Sequence, residues 1–381
     1  MNPYQQRRIL SPLALALALF VCNGVATLAR AATWSATDLH TGAALPSGTV
    51  TVNHVTVTWQ VGNYMSGDLR IFGLLCTPTS LPGPYPVAIL NHGLEPVPTG
   101  LLFPPFYFPA IKASGWTGCT TMAGNGWLTA ITTYRGEMVG ATTNSGFPAP
   151  YTNFVATSDG GLELCLGEVD DVLNLLSAVT ALPNANANHV LMWGHSHGSC
   201  ITERAVERGA PVQIAVSLDG PTDFTTWTGN NKFLAPTVAT QNERSPAWTD
   251  NNPAALAHVK FLRIQAEGDV IVTPDQACEL ASKLPASANY YLYSSISPPG
   301  VYWAAPKECS AFSMPWRKGQ LLPDEVAGRQ WASPTLLVYS RLDHFTIRAK
   351  AWPEFRSFVN AVANSESWHA SIPSEYLSLE N

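Results

Sequence analysis

Gly194-His195-Ser196-His197-Gly198 stands between an apolar run, residues 189–193, and a stretch of helical periodicity that continues to about residue 208. Strand, tight turn, helix is the setting in which a Gly-x-Ser-x-Gly pattern carries chemical meaning. The turn is so sharp that Ser196 must take a strained backbone conformation, and the residues two before and two after it must be small for strand and helix to close on each other. The hydroxyl then projects from the C-terminal edge of a sheet. The helix N-terminus and the N–H of His197 lie where negative charge would develop on a tetrahedral intermediate. A chance Gly/Ser turn would share the pattern, but not this setting between strand and helix. Ser196 is therefore the candidate nucleophile, with His197 as one oxyanion donor.

A serine hydroxyl needs a base near neutral pH, and the base needs a carboxylate to fix its tautomer. For an elbow of this kind the expected chain order is Ser, acid, His. Of nine histidines only His258, His344 and His369 follow the elbow. His344 sits after an apolar strand (335–339) and before the last helical stretch, in Leu342-Asp343-His344-Phe345. His258 precedes its strand, and His369 lies beyond the last helix. For the acid, Asp269 follows the strand 260–265 in Glu267-Gly268-Asp269-Val270, on a loop that faces the catalytic edge. Asp219, in Ser217-Leu218-Asp219-Gly220-Pro221, is the rival one strand earlier. The second oxyanion donor is expected from the loop after strand 86–90, where Asn91-His92-Gly93-Leu94 offers the Leu94 N–H. His195 and His197 form a His-x-His pair, but nothing near them in sequence supplies a third metal ligand. No metal or cofactor is expected.

Working outward, residues 50–61 alternate Val50, Val52, Val55, Val57, Trp59, Val61 with polar residues, and 69–76 follow across a Gly-containing turn. This predicts an antiparallel strand pair. Short apolar runs at 86–90, 127–133, 189–193, 212–218, 260–265 and 335–339 read as buried strands. Between them, helical spacing is predicted over 163–182, 198–208, 275–284 and 353–363, the first with Glu163, Glu168, Asp170 and Asp171 near its start. The alternation predicts an α/β fold: a mostly parallel sheet with helices on both faces and an antiparallel N-terminal edge.

The chain of 381 residues is 46% hydrophobic and 13% charged, enough apolar content for a large core and against disorder. With 21 Lys plus Arg against 27 Asp plus Glu and no basic run longer than Arg7-Arg8, nucleic acid is not an expected partner. Residues 1–31 read as a secretory signal peptide: Arg7 and Arg8, an apolar stretch over 13–21 too short to span a bilayer, and a small-residue ending Ala29-Arg30-Ala31. Cleavage there removes three arginines and no acid, taking the net charge from -6 to -9, and leaves residues 32–381 as a single expected domain. Six cysteines remain, an even number for an oxidising compartment, so disulfides are expected, with Cys278 to Cys309 the favoured pair. The expected location is secreted or periplasmic.

The quoted elements resemble the α/β-hydrolase superfamily, and within it the catalytic domain of the prolyl oligopeptidase and acylaminoacyl-peptidase group and its esterase relatives. The resemblance runs from Tyr85-Pro86 and His92-Gly93 through Tyr134-Arg135-Gly136, Glu168 to Leu176, the elbow, and Gly268-Asp269, to Asp343-His344-Phe345, covering roughly residues 50–363. It implies an α/β-hydrolase fold with Ser196, Asp269 and His344 as triad. Two departures stand out. Peptidases of that group usually carry a β-propeller ahead of the hydrolase domain, for which there is no room before His92. Asp269 and His344 are also 75 positions apart, because an aromatic, Pro-rich insertion at 294–331 intervenes, either a lid or a packed excursion. The run 103–108, rich in Phe, Pro and Tyr, is a candidate substrate wall. Glu137 is a candidate for gripping a substrate ammonium, though a solvated loop carboxylate is the simpler reading. The expected function is a secreted serine hydrolase that cleaves carboxylic esters on Ser196. A propeller-free serine peptidase and an inactive binding protein of the same fold are the alternatives.

Overall fold

A computed structural model describes residues 32–94, 109–111, 113–140, 154–227, 237–284, 289–294, 335–340 and 342–374. The strands are β1 (Ser47–Val52), β2 (Val55–Ser66), β3 (Leu69–Thr77), β4 (Tyr85–Asn91), β5 (Pro109–Ile111), β6 (Leu128–Thr132), β7 (Met138–Gly140), β8 (Val155–Thr157), β9 (Ala185–His195), β10 (Ile214–Leu218), β11 (Lys260–Ala266), β12 (Asn289–Ser294) and β13 (Thr335–Ser340). The helices are α1 (Ala113–Ala123), α2 (Gly167–Thr180), α3 (His197–Glu207), α4 (Val238–Arg244), α5 (Pro274–Lys283), α6 (Ile347–Lys350) and α7 (Trp352–Ser365).

Ten strands form one sheet in the order β1-β2-β3-β6-β4-β9-β10-β11-β13-β12. From β6 to β12 every neighbouring pair is parallel, and β1, β2 and β3 make the antiparallel edge. This is the α/β-hydrolase fold, as the sequence predicts. Strands β5, β7 and β8 form a separate small sheet.

Period-two alternation sends successive residues of each central strand to opposite faces. On β9, Leu191 and Trp193 enter one core with Ile131, Val216, Ile264 and Phe355 of α7, while Val190 and Met192 enter the other with Ile89, Val172 of α2 and Ile201 of α3. Both faces are covered, which is why these strands read as unbroken apolar runs. The residues Ala32–Asn381 group into one compact unit.

Two local expectations are corrected. The alternating run 50–61 is not one strand: Asn53 and His54 both take positive φ (51° and 64°) and turn β1 into β2. The three-residue step from Val52 to Val55 is where the alternation breaks. The helix predicted from residue 163 starts at Gly167 instead. Leu164 and Cys165 have positive φ (52° and 61°), Cys165 is disulfide-bonded to Cys200, and the Glu168 carboxylate accepts from the N–H groups of Glu163 (2.5 Å), Leu164 (3.0 Å) and Leu166 (3.3 Å). The would-be first turn is thus a loop pinned to α3. A second disulfide joins Cys76 of β3 to Cys119 of α1. Cys278 is also disulfide-bonded, and Cys309, its expected partner, lies outside the described residues, as do the leader 1–31, the run 103–108 and, apart from Ser294 at the end of β12, the insertion 294–331.

Candidate active site

Ser196 joins β9 to α3 with φ 54° and ψ −119°. Such a conformation costs roughly 1–3 kcal/mol and persists only where neighbours enforce it. Here the enforcement is visible. A Cβ on Gly194 would come 2.0 Å from the Gly198 carbonyl oxygen, and a Cβ on Gly198 would come 2.0 Å from that of Asn91. The Ser196 N–H donates to the Leu218 carbonyl at 2.8 Å, tying the turn to the end of β10.

The Ser196 hydroxyl donates to His344 Nε2 at 2.8 Å, and His344 Nδ1 donates to Asp269 Oδ2 at 2.6 Å. The remaining oxygen of Asp269 accepts the N–H groups of Ile271 and Val272, both at 2.8 Å. His344 and Asp269 are 4% and 2% exposed. The three elements behind these contacts are β9, β11 and β13, adjacent parallel strands apart from the intervening β10, so their C-terminal loops meet on one edge. The structure therefore brings together Ser196, Asp269 and His344.

Asp219 sits close by but makes a different contact: its Oδ1 accepts the Ala266 N–H at 2.7 Å. His195 and His197 diverge. His195 Nε2 donates to the His344 carbonyl at 3.0 Å, and the two imidazole rings lie tilted to each other at 4.8 Å. His195, Asp219 and His344 offer ligand atoms within 4.8 Å of one another, so a third possible ligand does lie near His195, contrary to the sequence reading. Both ring nitrogens of His344 are, however, already engaged by Ser196 and Asp269, and a cation there would compete with those bonds.

His197 turns the other way, its ring edge-on to Tyr134 at 5.5 Å, with Nε2 accepting the Cys165 N–H at 3.2 Å. Burial, with the neighbouring His92 and Arg244 adding to it, lowers its pKa to about 3, so the ring is neutral. Its backbone N–H heads α3, where the first N–H groups have no partner within the helix.

The other oxyanion candidate, Leu94, follows a braced segment. His92 stacks on Tyr134 at 4.2 Å, its Nδ1 lies 2.8 Å from the Gly93 carbonyl and its Nε2 3.1 Å from that of Thr132. The Tyr134 hydroxyl donates back to the His92 carbonyl at 3.1 Å. Tyr134 itself is held by its neighbour: Arg135 makes a two-point contact with the buried Asp171 of α2, at 3.1 and 3.0 Å. Glu137 is not a solvated loop carboxylate. Its side chain is 15% exposed and its Oε2 lies 3.3 Å from His92 Nε2. Sequence reasoning saw Asn91-His92-Gly93 and Tyr134-Arg135-Gly136 as separate turns; that one braces the other depends on β4 and β6 being neighbours in the sheet. Around the triad Val270 (85% exposed), Ile271 and Phe345 stand out into solvent.

Residues 159–297 match the model of the prolyl oligopeptidase family. No curated protein matches the chain. Among solved structures it is similar to the acylaminoacyl peptidase of Pyrococcus horikoshii, at 12% identity and a TM-score of 0.45, over 88% of this chain and 43% of that one. It is also similar to acetyl xylan esterase 1 from Thermoanaerobacterium sp. JW/SL YS485, at 9% identity and a TM-score of 0.46, over 83% and 86%. A third is the acetyl xylan esterase from Paenibacillus sp. R4, at 12% identity and 0.46, over 83% and 88%. The chain thus spans less than half the length of the peptidase.

Proposed function

We propose that this α/β-hydrolase, a serine hydrolase with a prolyl oligopeptidase family match over residues 159–297, cleaves carboxylic esters through an acyl-enzyme on Ser196. The hydrogen-bond chain from Ser196 through His344 to Asp269 carries the reading. Ser196 Oγ attacks the carbonyl carbon as His344 Nε2 takes the hydroxyl proton. Asp269 holds the imidazole with Nδ1–H toward itself and offsets the charge that forms on the ring. The N–H groups of His197 and Leu94 receive the oxyanion, and the proton on His344 passes to the departing alkoxide. Water then repeats the sequence on the acyl-enzyme and frees Ser196.

Preference for an ester over an amino-terminal peptide follows from Glu137. The carboxylate that would grip a substrate ammonium is mostly buried against His92, and the exposed side chains beside Asp269 and His344 include the apolar Val270, Ile271 and Phe345 together with Asp343. A peptidase reading stays in view because of the family match. Export of the mature chain 32–381 into an oxidising compartment is part of the proposal. The disulfides Cys76–Cys119 and Cys165–Cys200 support it. Among the described residues no helix is long and apolar enough to cross a membrane.

Stopped-flow mixing with a p-nitrophenyl ester, followed by acid quench and mass spectrometry of the peptide containing Ser196, tests the mechanism. A burst of p-nitrophenol equal to the enzyme concentration, with the acyl mass on Ser196, is expected. A trapped acyl group on another residue would overturn the assignment.

A further inference from the structure

Asp219 directly follows β10, takes the left-handed region (φ 48°) and is fully buried. Its Oδ1 is held against Ala266, the last residue of the strand that delivers Asp269. Its Oδ2 receives no N–H or O–H donor, and the side chain in hydrogen-bonding reach of the Asp219 carboxyl is that of Asp269. The ionisable groups around it come from every neighbouring element: Asp269 after β11, His344 after β13, His195 at the end of β9, and Arg263 within β11. Arg263 pairs with Glu203 of α3 and donates to the Gly220 carbonyl at 2.6 Å and to Gln265 at 3.2 Å; its charge favours an ionised Asp219 but is outweighed by burial and by Asp269.

Two adjoining buried carboxyl groups cannot both ionise freely, and the donors around them decide which keeps the proton. Asp269 accepts three hydrogen bonds, from Ile271, Val272 and His344. Asp219 accepts one, from Ala266. Burial first, and then the charge of Asp269, push the Asp219 carboxyl well above the usual range for an aspartate.

We propose that Asp219 is a positioning residue of the triad, a neutral carboxylic acid that holds Ala266 through Oδ1 and offers its Oδ2 proton to Asp269. The inference rests on reading Ser196, His344 and Asp269 as that triad. The acid of the site is then a carboxyl–carboxylate pair bearing a single negative charge. A second charge would hold the proton on His344, which must release it to the leaving group; a neutral Asp219 orients Asp269 without that cost.

The test is the protonation of His344 followed by NMR in protein labelled with 15N-histidine, comparing wild type with Asp219→Asn. The signal is identified by its loss in His344→Gln. The amide matches a neutral acid in shape and in hydrogen bonding and carries no charge at any pH. The two midpoints are therefore expected to agree within ~0.3 pH units. Were Asp219 ionised, Asn would remove a negative charge beside His344 and lower the midpoint by ~1 unit or more, which would overturn the proposal.

A second measurement is the rate at which a fluorophosphonate labels Ser196. Asp219→Ala is expected to slow it ~10–100-fold and Asp219→Asn to restore most of that loss. Equal loss in both variants, or none in Ala, would overturn the positioning role. The NMR titration requires no turnover, so the two readings fail separately: a wild type that does not label sinks the hydrolase reading, while the midpoints still decide on Asp219.

Discussion

The α-carbon of Gly198 lies so close to Asn91 that a Cβ there would come 2.0 Å from the Asn91 carbonyl oxygen. Through this approach the helix behind the nucleophile is packed against the end of β4, from which the oxyanion loop departs. Gly198→Ala is therefore expected to push α3 off the loop, lowering kcat/KM at least ~100-fold, since about an ångström of misplacement costs that much. Kinetics on the soluble fraction check it. Activity within a few-fold of wild type would show that the loop does not depend on this contact.

His197 gives a pH dependence of stability. Its ring is buried neutral with a folded-state pKa of about 3, against about 6.5 when unfolded. Between these values the unfolded chain binds a proton that the folded protein does not, so the stabilisation is present above pH 6.5 and is lost as pH falls. The contribution is about 1.4 kcal/mol per pH unit over that window. His197→Gln, whose amide oxygen can still accept the Cys165 N–H, is expected to flatten the fall in urea midpoint between pH 6.5 and 4.5. Parallel curves for the two proteins would contradict it.

The Cys165–Cys200 disulfide joins cysteines 35 positions apart and ties the loop before α2 to α3. Replacing both cysteines by serine is expected to cost about 4 kcal/mol of stability by the loop-closure argument. The same change should also slow fluorophosphonate labelling, because Cys165 is what His197 leans on. Chemical denaturation and labelling rates measure the two effects separately.

Asp171 accepts from Arg135 at three nitrogens, including the backbone N–H at 2.9 Å, and its side chain is fully buried. Asp171→Asn removes the buried counter-charge of Arg135 and leaves it the half-exposed Glu163, 3.2 Å from its other terminal nitrogen. A loss of about 3 kcal/mol in denaturant unfolding is expected. A loss of a few tenths would mean that water reaches the guanidinium readily.

Much of this was legible in the chain because parallel strands buried on both faces leave unbroken apolar runs, and because an elbow demands Gly194 and Gly198 where both are found. The parts that were not legible share a cause. The hairpin at Asn53-His54 hides in a run whose polar and apolar residues alternate on both sides of the turn. The start of α2 was misplaced because Leu164 and Cys165, ordinary helix residues by pattern, are held in the left-handed region by contacts to α3 and Glu168. Asp219 and Asp269 each follow an apolar strand at the same sheet edge, so the sequence favours Asp269 but keeps Asp219 as a rival. Only the packing shows that one meets His344 and the other meets Ala266. The bracing of His92 by Tyr134 and Glu137 is likewise a property of neighbouring strands that lie forty residues apart in the chain.

The most direct test of the central claim is the hydrolysis of p-nitrophenyl esters and aminoacyl p-nitroanilides by the mature protein beside its Ser196→Ala variant. Ester turnover that the substitution abolishes, with little anilide turnover, is the predicted result. Ester turnover that survives in Ser196→Ala, or anilide turnover exceeding that of the esters, would contradict it.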